Sequence, residues 1–415
     1  MRDILLINVA GPDRPGLTVA LTETLARHDV RLLDMGQAVI HADLAWGMLV
    51  EVPRSANDGP LYKDLLFAAH ELGLTLRIRP VSDDDYRNWV ARGERARHII
   101  TLLGREIHAR HIAGVTSVVA AEGLNIDRIQ RLSGRPDPDT PTAVRRSAVG
   151  LAVSGDVEDI ASVRQRLLRL SQALGVDIAI QADDVFRRNR RLVCFDMDST
   201  LIAAEMIDEL AAAAGVGEAV QAVTEAAMAG ELDFKQSFAR RLALLKGLPE
   251  AALPEIAARM PLTEGAERLI HTLHSLGFTV AILSGGFRYF AEHLRARLKI
   301  DYVYANELKV RDGKLTGEVV PPVVDGERKA ELLRQIAERE RISLAQTIAV
   351  GDGANDLPML SIAGLGVAFN AKPVVREHAE LGISNLGLDG LLYLLGMRDR
   401  ELAMASMSGR SSGQA

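Results

Sequence analysis

The alternation of apolar and polar positions divides the chain into three stretches, and the first two repeat one order of elements. From the N-terminus, Ile4-Leu5-Leu6-Ile7-Asn8-Val9 predicts a strand and Gly11-Pro12-Asp13-Arg14-Pro15-Gly16 a turn. Helical spacing follows over Leu17 to Arg27, then β-rich runs over Val30 to Ile40 and Trp46 to Val52, a helix over Leu61 to Leu72 and a strand over Leu74 to Ile78. That order is βαββαβ, a ferredoxin-like unit. A second such unit starts at His98 to Arg105 and continues through a helix at Val115 to Ala121 and strands at Asn125 to Leu132 and Ala148 to Val153. It closes with a helix over Ile160 to Leu174 and a strand over Val176 to Ile180. The polar stretch Ser82 to Glu94 reads as a connector, and Gly134 to Pro141, rich in Pro and Asp, as a loop.

From about Arg191 the texture changes. Short, wholly apolar runs (Leu192 to Phe195, Thr279 to Leu283, Thr347 to Val350) alternate with helical stretches, as in a parallel sheet buried on both faces. The Ala-rich block from Glu205 to Arg259 carries helical spacing without strand signals and predicts a helical insert that caps a site. The expected fold is therefore α/β: two ferredoxin-like units at 1–82 and 97–183, then a Rossmann-like core at 191–398 with a helical cap at about 205–262. Residues 399–415, small and polar toward their end, read as a flexible tail.

Composition narrows the function classes. The 415 residues exceed what one core usually supports, and 48% hydrophobic with 25% charged residues describes a globular protein. A net charge of −6 and only 4% aromatic residues argue against nucleic acid as a partner. The single cysteine, Cys194, cannot form an internal disulfide, which suits a reducing cytoplasm, and no stretch is apolar for long enough to span a membrane. Cys194 itself reads as an inert member of a buried strand. His108 and His111 stand three apart without a third ligand and read as surface residues.

The candidate chemistry lies at the carboxyl ends of the apolar strands, where open α/β sheets bind ligands. Asp196-Met197-Asp198-Ser199-Thr200 follows the first strand, and Gly351-Asp352-Gly353-Ala354-Asn355-Asp356 another. Carboxylates crowded in this way need a divalent cation or a shared proton, and the scarcity of His and Cys favours Mg²⁺ over Zn²⁺. Ser284-Gly285-Gly286 offers a hydroxyl and free N–H groups to a phosphate oxygen, and Lys329 a point charge.

In that order, the Asp196-to-Thr200 run, Ser284-Gly285, Lys329 and the Gly351-to-Asp356 run resemble the four motifs of haloacid-dehalogenase-type phosphatases. Glu205, Met228 to Phe234, Arg241 and Ser284 to Phe287 are similar to the hallmarks of the phosphoserine phosphatase family. The paired N-terminal units resemble ACT domains, which precede the phosphatase in mycobacterial-type members. The resemblance implies hydrolysis of O-phospho-L-serine, the last step of serine biosynthesis, with Asp196 as nucleophile and Asp198 as general acid and base. It implies Mg²⁺ held by Asp196, the Asp198 carbonyl and Asp352, with Asp356 in support. Ser284, Gly285 and Lys329 would hold the phosphoryl group, and Asn355 would help orient it or the aspartate. Glu205 would meet the substrate ammonium and Arg241 its carboxylate, while Met228 and Phe234 form an apolar wall. L-serine is the implied effector, at Asp13, Gly16 and Gly104, and a homodimer the implied assembly.

Overall fold

The computed structural model describes residues 3–53, 58–93, 95–135, 137–228, 231–379 and 381–403. Two compact units divide between Arg95 and Ala96. The first contains β1 (Asp3–Pro12), α1 (Leu17–Arg27), β2 (Arg31–Ile40), β3 (Asp43–Val52), α2 (Asp58–Glu71), β4 (Thr75–Val81) and α3 (Asp83–Arg92). Its antiparallel sheet has the order β2-β3-β1-β4. β1 alternates buried and open positions, with Leu5, Ile7 and Val9 facing Leu21, Leu25, Leu61 and Leu65 in one core. The expected polar connector is instead a helix: Ser82 caps α3 by accepting from the Asp85 N–H at 3.1 Å, and Asp83 to Asp85 favour its first turn.

The second unit opens with the repeat of that order: β5 (Arg97–Gly104), α4 (Ala109–Ala121), β6 (Asn125–Arg131), β7 (Ser147–Ser154), α5 (Ile160–Leu174) and β8 (Asp177–Ala182), with sheet order β6-β7-β5-β8. His108 precedes α4, and His111 turns inward: it is buried and accepts from the His108 N–H at 3.1 Å, so it is not a surface residue. The burial of this sheet differs from that of its counterpart. β5, β7 and β8 are covered on both faces, because Ile100, Leu102, Leu151 and Ile180 pack under α4 and α5 while Leu103, Ala148 and Ala179 join the apolar core of the elements that follow.

Those elements are β9 (Leu192–Phe195), α6 (Met206–Ala214), α7 (Gly217–Met228), α8 (Phe234–Leu244), α9 (Leu253–Ala258), α10 (Ala266–Ser275), β10 (Thr279–Phe287) and α11 (Arg288–Leu298). They continue with β11 (Tyr302–Arg311), β12 (Lys314–Val320), α12 (Gly326–Arg339), β13 (Thr347–Gly351), α13 (Leu357–Ile362), β14 (Leu365–Phe369), α14 (Pro373–His378), β15 (Leu381–Ile383) and α15 (Leu391–Leu394). The seven-stranded sheet runs β12-β11-β10-β9-β13-β14-β15. It is parallel except for β12, which closes an antiparallel hairpin with β11 that the apolar pattern does not announce. β9 sits between β10 and β13, so the nucleophile candidate leaves the centre of the sheet. The helices α6 to α9 form the insert expected between β9 and β10.

Asp399, expected to open a tail, is held in place. Its carboxylate accepts from Arg268 at 2.8 Å and from the Gly134 N–H at 2.7 Å. Residues 404–415 lie outside the described residues.

Candidate active site

Because β9 is wholly buried and ends at Phe195, Asp196 and Asp198 emerge where the sheet edge opens a crevice. Asp196 is 5% exposed, and its N–H bonds the Val350 carbonyl of β13 at 2.9 Å, which fixes it beside the second acidic run. Oxygens of Asp196, Asp352 and Asp356 lie within 4.8 Å of one another. Burial and the Asp196 and Asp356 carboxylates push the Asp352 carboxyl up to about 7. A hard divalent cation relieves that repulsion and suits an all-oxygen donor set. The residues thus fit the Mg²⁺ expected from the sequence, with Asp356 joining Asp196 and Asp352 as the third carboxylate.

The Asp198 carboxylate turns the other way and accepts from the Met206 N–H, the first of α6, at 3.0 Å. Burial, then Glu205 and Asp196, raise its pKa well above the usual carboxylate range. Of the two carboxyls, Asp198 is the one poised to hold a proton and Asp196 the one beside a cation. That cation is Lys329, fully buried, whose Nζ lies 2.9 Å from Asp196 Oδ2 and donates to Asp356 Oδ1 at 2.6 Å. Burial works against its charge, yet the two carboxylates hold its pKa above the ordinary lysine value. Asp325 caps α12 and so places Lys329 in the helix's first turn.

Ser284, near the end of β10, is fully buried, and its Oγ accepts from the Gly286 N–H at 2.9 Å. The pairing of β10 with β11 breaks between Leu283 and Phe287, and this irregularity turns Ser284 to Gly286 toward the carboxylates. A Cβ on Gly286 would stand 2.2 Å from Asp198 Oδ2, so only glycine fits there. Asn306, which sequence reasoning missed, anchors this loop: it donates to the Gly285 carbonyl at 2.7 Å and accepts from the Val324 N–H at 2.8 Å. No local pattern marks it, since it is one buried polar residue in a strand. Asn355 packs against the start of α12, its carbonyl oxygen 2.8 Å from where a Gly326 Cβ would stand.

In the cap, Glu205 precedes α6 and accepts from the Ser199 hydroxyl at 2.8 Å. It lines a cavity of about 870 Å³ together with Ser199, Asp208 and Asn385. Arg241 is not among that lining; it is half buried on α8, and its Nε is buried with no hydrogen-bond partner among the described residues. One turn earlier on the same helix face, Phe238 stacks on Phe287 with ring centroids 6.3 Å apart, an aromatic contact absent from the sequence reading. The side chains of Met228 and Phe234 lie outside the described residues. Cys194 is buried, and burial pushes its thiol pKa up, as an inert residue requires.

Asp13 and Gly16 belong to the first unit, where the Asp13 N–H bonds the Ala42 carbonyl at 2.7 Å and Gly16 opens α1 with φ 93°. Gly104 ends β5 in the second.

Buried carboxylates, a buried lysine and a serine-glycine loop at the ends of parallel strands define a hydrolase of the haloacid dehalogenase-like class, and the model of that class matches residues 193–361. ACT domain models match residues 3–79 and 96–181. Phosphoserine phosphatase SerB2 of Mycobacterium tuberculosis is 42% identical over 97% of this chain and 95% of its own. A phosphoserine phosphatase of Streptomyces coelicolor is also 42% identical, over 97% and 94%. The structure of a probable phosphoserine phosphatase from Vibrio cholerae superposes with a TM-score of 0.57 at 33% identity, covering 76% of this chain and 90% of that one. The chain belongs to the phosphoserine phosphatase family, with two ACT domains ahead of the catalytic core.

Proposed function

We propose that the protein hydrolyses O-phospho-L-serine to L-serine and phosphate through an aspartyl phosphate on Asp196, the last step of serine biosynthesis. The observation that carries this reading is the division of labour between the two aspartates: Asp196 faces Lys329, whereas Asp198 faces the first turn of the cap. Asp196 Oδ attacks phosphorus in line with the serine oxygen. Asp198 delivers its proton to that oxygen as the bond breaks, then takes one from the water that hydrolyses the acyl phosphate. Ser284, the Gly285 N–H and Lys329 hold the phosphoryl oxygens as charge builds on them, and Asn355 steadies the loop beneath. Asp196, Asp352, Asp356 and the Asp198 carbonyl would hold Mg²⁺, which would supply positive charge that offsets the phosphate.

Specificity rests on the cap. Glu205 stands among acidic neighbours, with Asp208 and Glu209 on the same cavity wall, a setting that favours an ammonium. The unsatisfied Nε of Arg241 supports its pairing with a carboxylate. Arg241→Ala is expected to lower kcat/KM for O-phospho-L-serine by about a hundredfold and for an aryl phosphate by less than about threefold. Steady-state phosphate release with Mg²⁺ reads both, and an equal loss on the two substrates would refute the clamp. An enzyme active on aryl phosphate but inert toward O-phospho-L-serine would remove the proposed substrate.

The ACT domains bind L-serine at Asp13, Gly16 and Gly104, in a cytoplasmic homodimer. In support, a Cβ on Gly16 would meet nothing within 4 Å, which leaves the turn open to a ligand. Calorimetric titration of L-serine into an Asp196→Asn variant is expected to give saturable heat; a flat trace would end the sensing role.

A further inference from the structure

The second ACT domain reaches the segment on which the chain leaves the cap. The chain enters the cap through residues 201–205 and leaves it through residues 260–264, and these two segments pair as a short two-stranded hinge. The Ala203 N–H bonds the Pro261 carbonyl at 2.9 Å, the Thr263 N–H bonds the Leu201 carbonyl at 3.0 Å, and Ile202 bridges Leu262 antiparallel. Glu264 follows directly, and its carboxylate takes both prongs of the Arg105 guanidinium, at 2.8 and 2.6 Å. Its carbonyl is tied as well, accepting from the Leu388 N–H at 2.7 Å. Arg105 lies at the end of β5 and is itself located by a fixed loop: the Ser147 hydroxyl donates to its carbonyl, and Arg145 is bound to Glu106 and to two carbonyls. Arg105, Thr263, Ala203 and Glu205 line one cavity, so the ACT domain and the carboxylate proposed to meet the ammonium share its wall.

We propose that Arg105 is a positioning residue for the phosphatase reaction: by clamping Glu264 it fixes the cap hinge, and with it the place of Glu205 over the substrate ammonium. The proposal rests on the substrate reading above. An exposed ion pair contributes little to global stability, but a bidentate fork sets geometry. Loss of Arg105 therefore shifts where the cap sits rather than whether the chain folds. A phosphoester without an ammonium feels that shift less than phosphoserine does.

The test uses the full chain and Mg²⁺, with variants Arg105→Ala, Arg105→Lys and the exchanged pair Arg105→Glu/Glu264→Arg. For Arg105→Ala, KM for O-phospho-L-serine is expected to rise about five- to tenfold with kcat changed less than about twofold. Kinetics on p-nitrophenyl phosphate are expected to stay within about twofold. Arg105→Lys restores part of the loss and the exchanged pair most of it. Hydrogen exchange gives a readout that needs no substrate: the hinge amides of Ala203 and Thr263 lose protection in Arg105→Ala, while the amides of β9 do not. An unchanged KM with unchanged hinge protection overturns the proposal, as does an equal loss on both substrates. A wild-type enzyme inert toward phosphoserine, with hinge amides that still respond to Arg105, overturns the substrate reading and leaves the clamp standing.

Discussion

Asp196→Asn is expected to abolish phosphate release from O-phospho-L-serine, by at least about a thousandfold, and to leave a folded protein that forms no phosphoenzyme. The amide is isosteric with the carboxylate and can still accept the Met197 N–H that Asp196 Oδ1 receives at 2.7 Å. Lys329 keeps its bond to Asp356. What is lost, in the proposed mechanism, is the anionic oxygen that attacks phosphorus; among the described residues Asp198 Oδ1 accepts from the Met206 N–H, and Asp356 is held by Lys329 and by the Gly353 N–H at 3.0 Å. Rapid quenching in acid with ³²P-labelled substrate should label the wild-type protein and not the variant. Label on the variant, or residual turnover above about a tenth, would assign the nucleophile elsewhere.

Lys329→Met carries the largest expected cost to the fold. The ammonium is fully buried between two carboxylates that are themselves nearly or wholly buried. Its removal leaves like charges facing one another in a low-dielectric site, a change that costs about 3–5 kcal/mol when one partner of a buried pair is taken away. The expected result is a melting temperature lower by roughly 5–10 °C in chelator, partly recovered by millimolar Mg²⁺, the cation proposed to sit among those carboxylates. Activity is expected to fall as well, because in the proposed mechanism the phosphoryl group loses a charged donor. Scanning calorimetry with and without Mg²⁺ checks the first claim. A melting temperature unaffected by the substitution would mean that Lys329 does not hold the carboxylates together.

Much of this architecture was legible in the residues because strand periodicity and motif order are local properties. Leu192 to Phe195, Thr279 to Leu283 and Thr347 to Val350 are too apolar for any place but a sheet covered on both faces, and acidic runs follow two of them directly. Helix Ile160 to Leu174 and helix Leu17 to Arg27 match their predicted bounds because their apolar spacing is regular and their ends are marked, by Asp159 and Gly175 in one and by Gly16 in the other. The connector at Ser82 was missed because its polar composition hides a serine cap. The hairpin of β11 and β12 was missed because it lies at the sheet edge, where half-exposed residues blur the alternation. Asn306, Phe238 and the Arg105–Glu264 pair escaped for a different reason. Each acts through a partner distant in sequence, 159 residues away for Arg105, and nothing in one segment signals what another will bring to it.

The covered face of the second ACT sheet bears on where this chain can be cut. Asp177 is 4% exposed, and its carboxylate accepts from the Ser384 and Asn385 N–H groups and the Asn385 side chain, at 2.8 to 3.0 Å. The Gln181 amide reaches the Leu394 carbonyl at 3.1 Å, and Arg146 faces Asp389. A fragment starting at Arg191 would strip those partners away and bare the apolar side chains of Leu391 to Leu395 to water. Engineers seeking a minimal catalyst should therefore begin at Ala96 and keep the second ACT domain as a permanent wall of the enzyme. In this chain the sequence boundary near residue 190 runs through a core, and the two compact units divide about a hundred residues earlier.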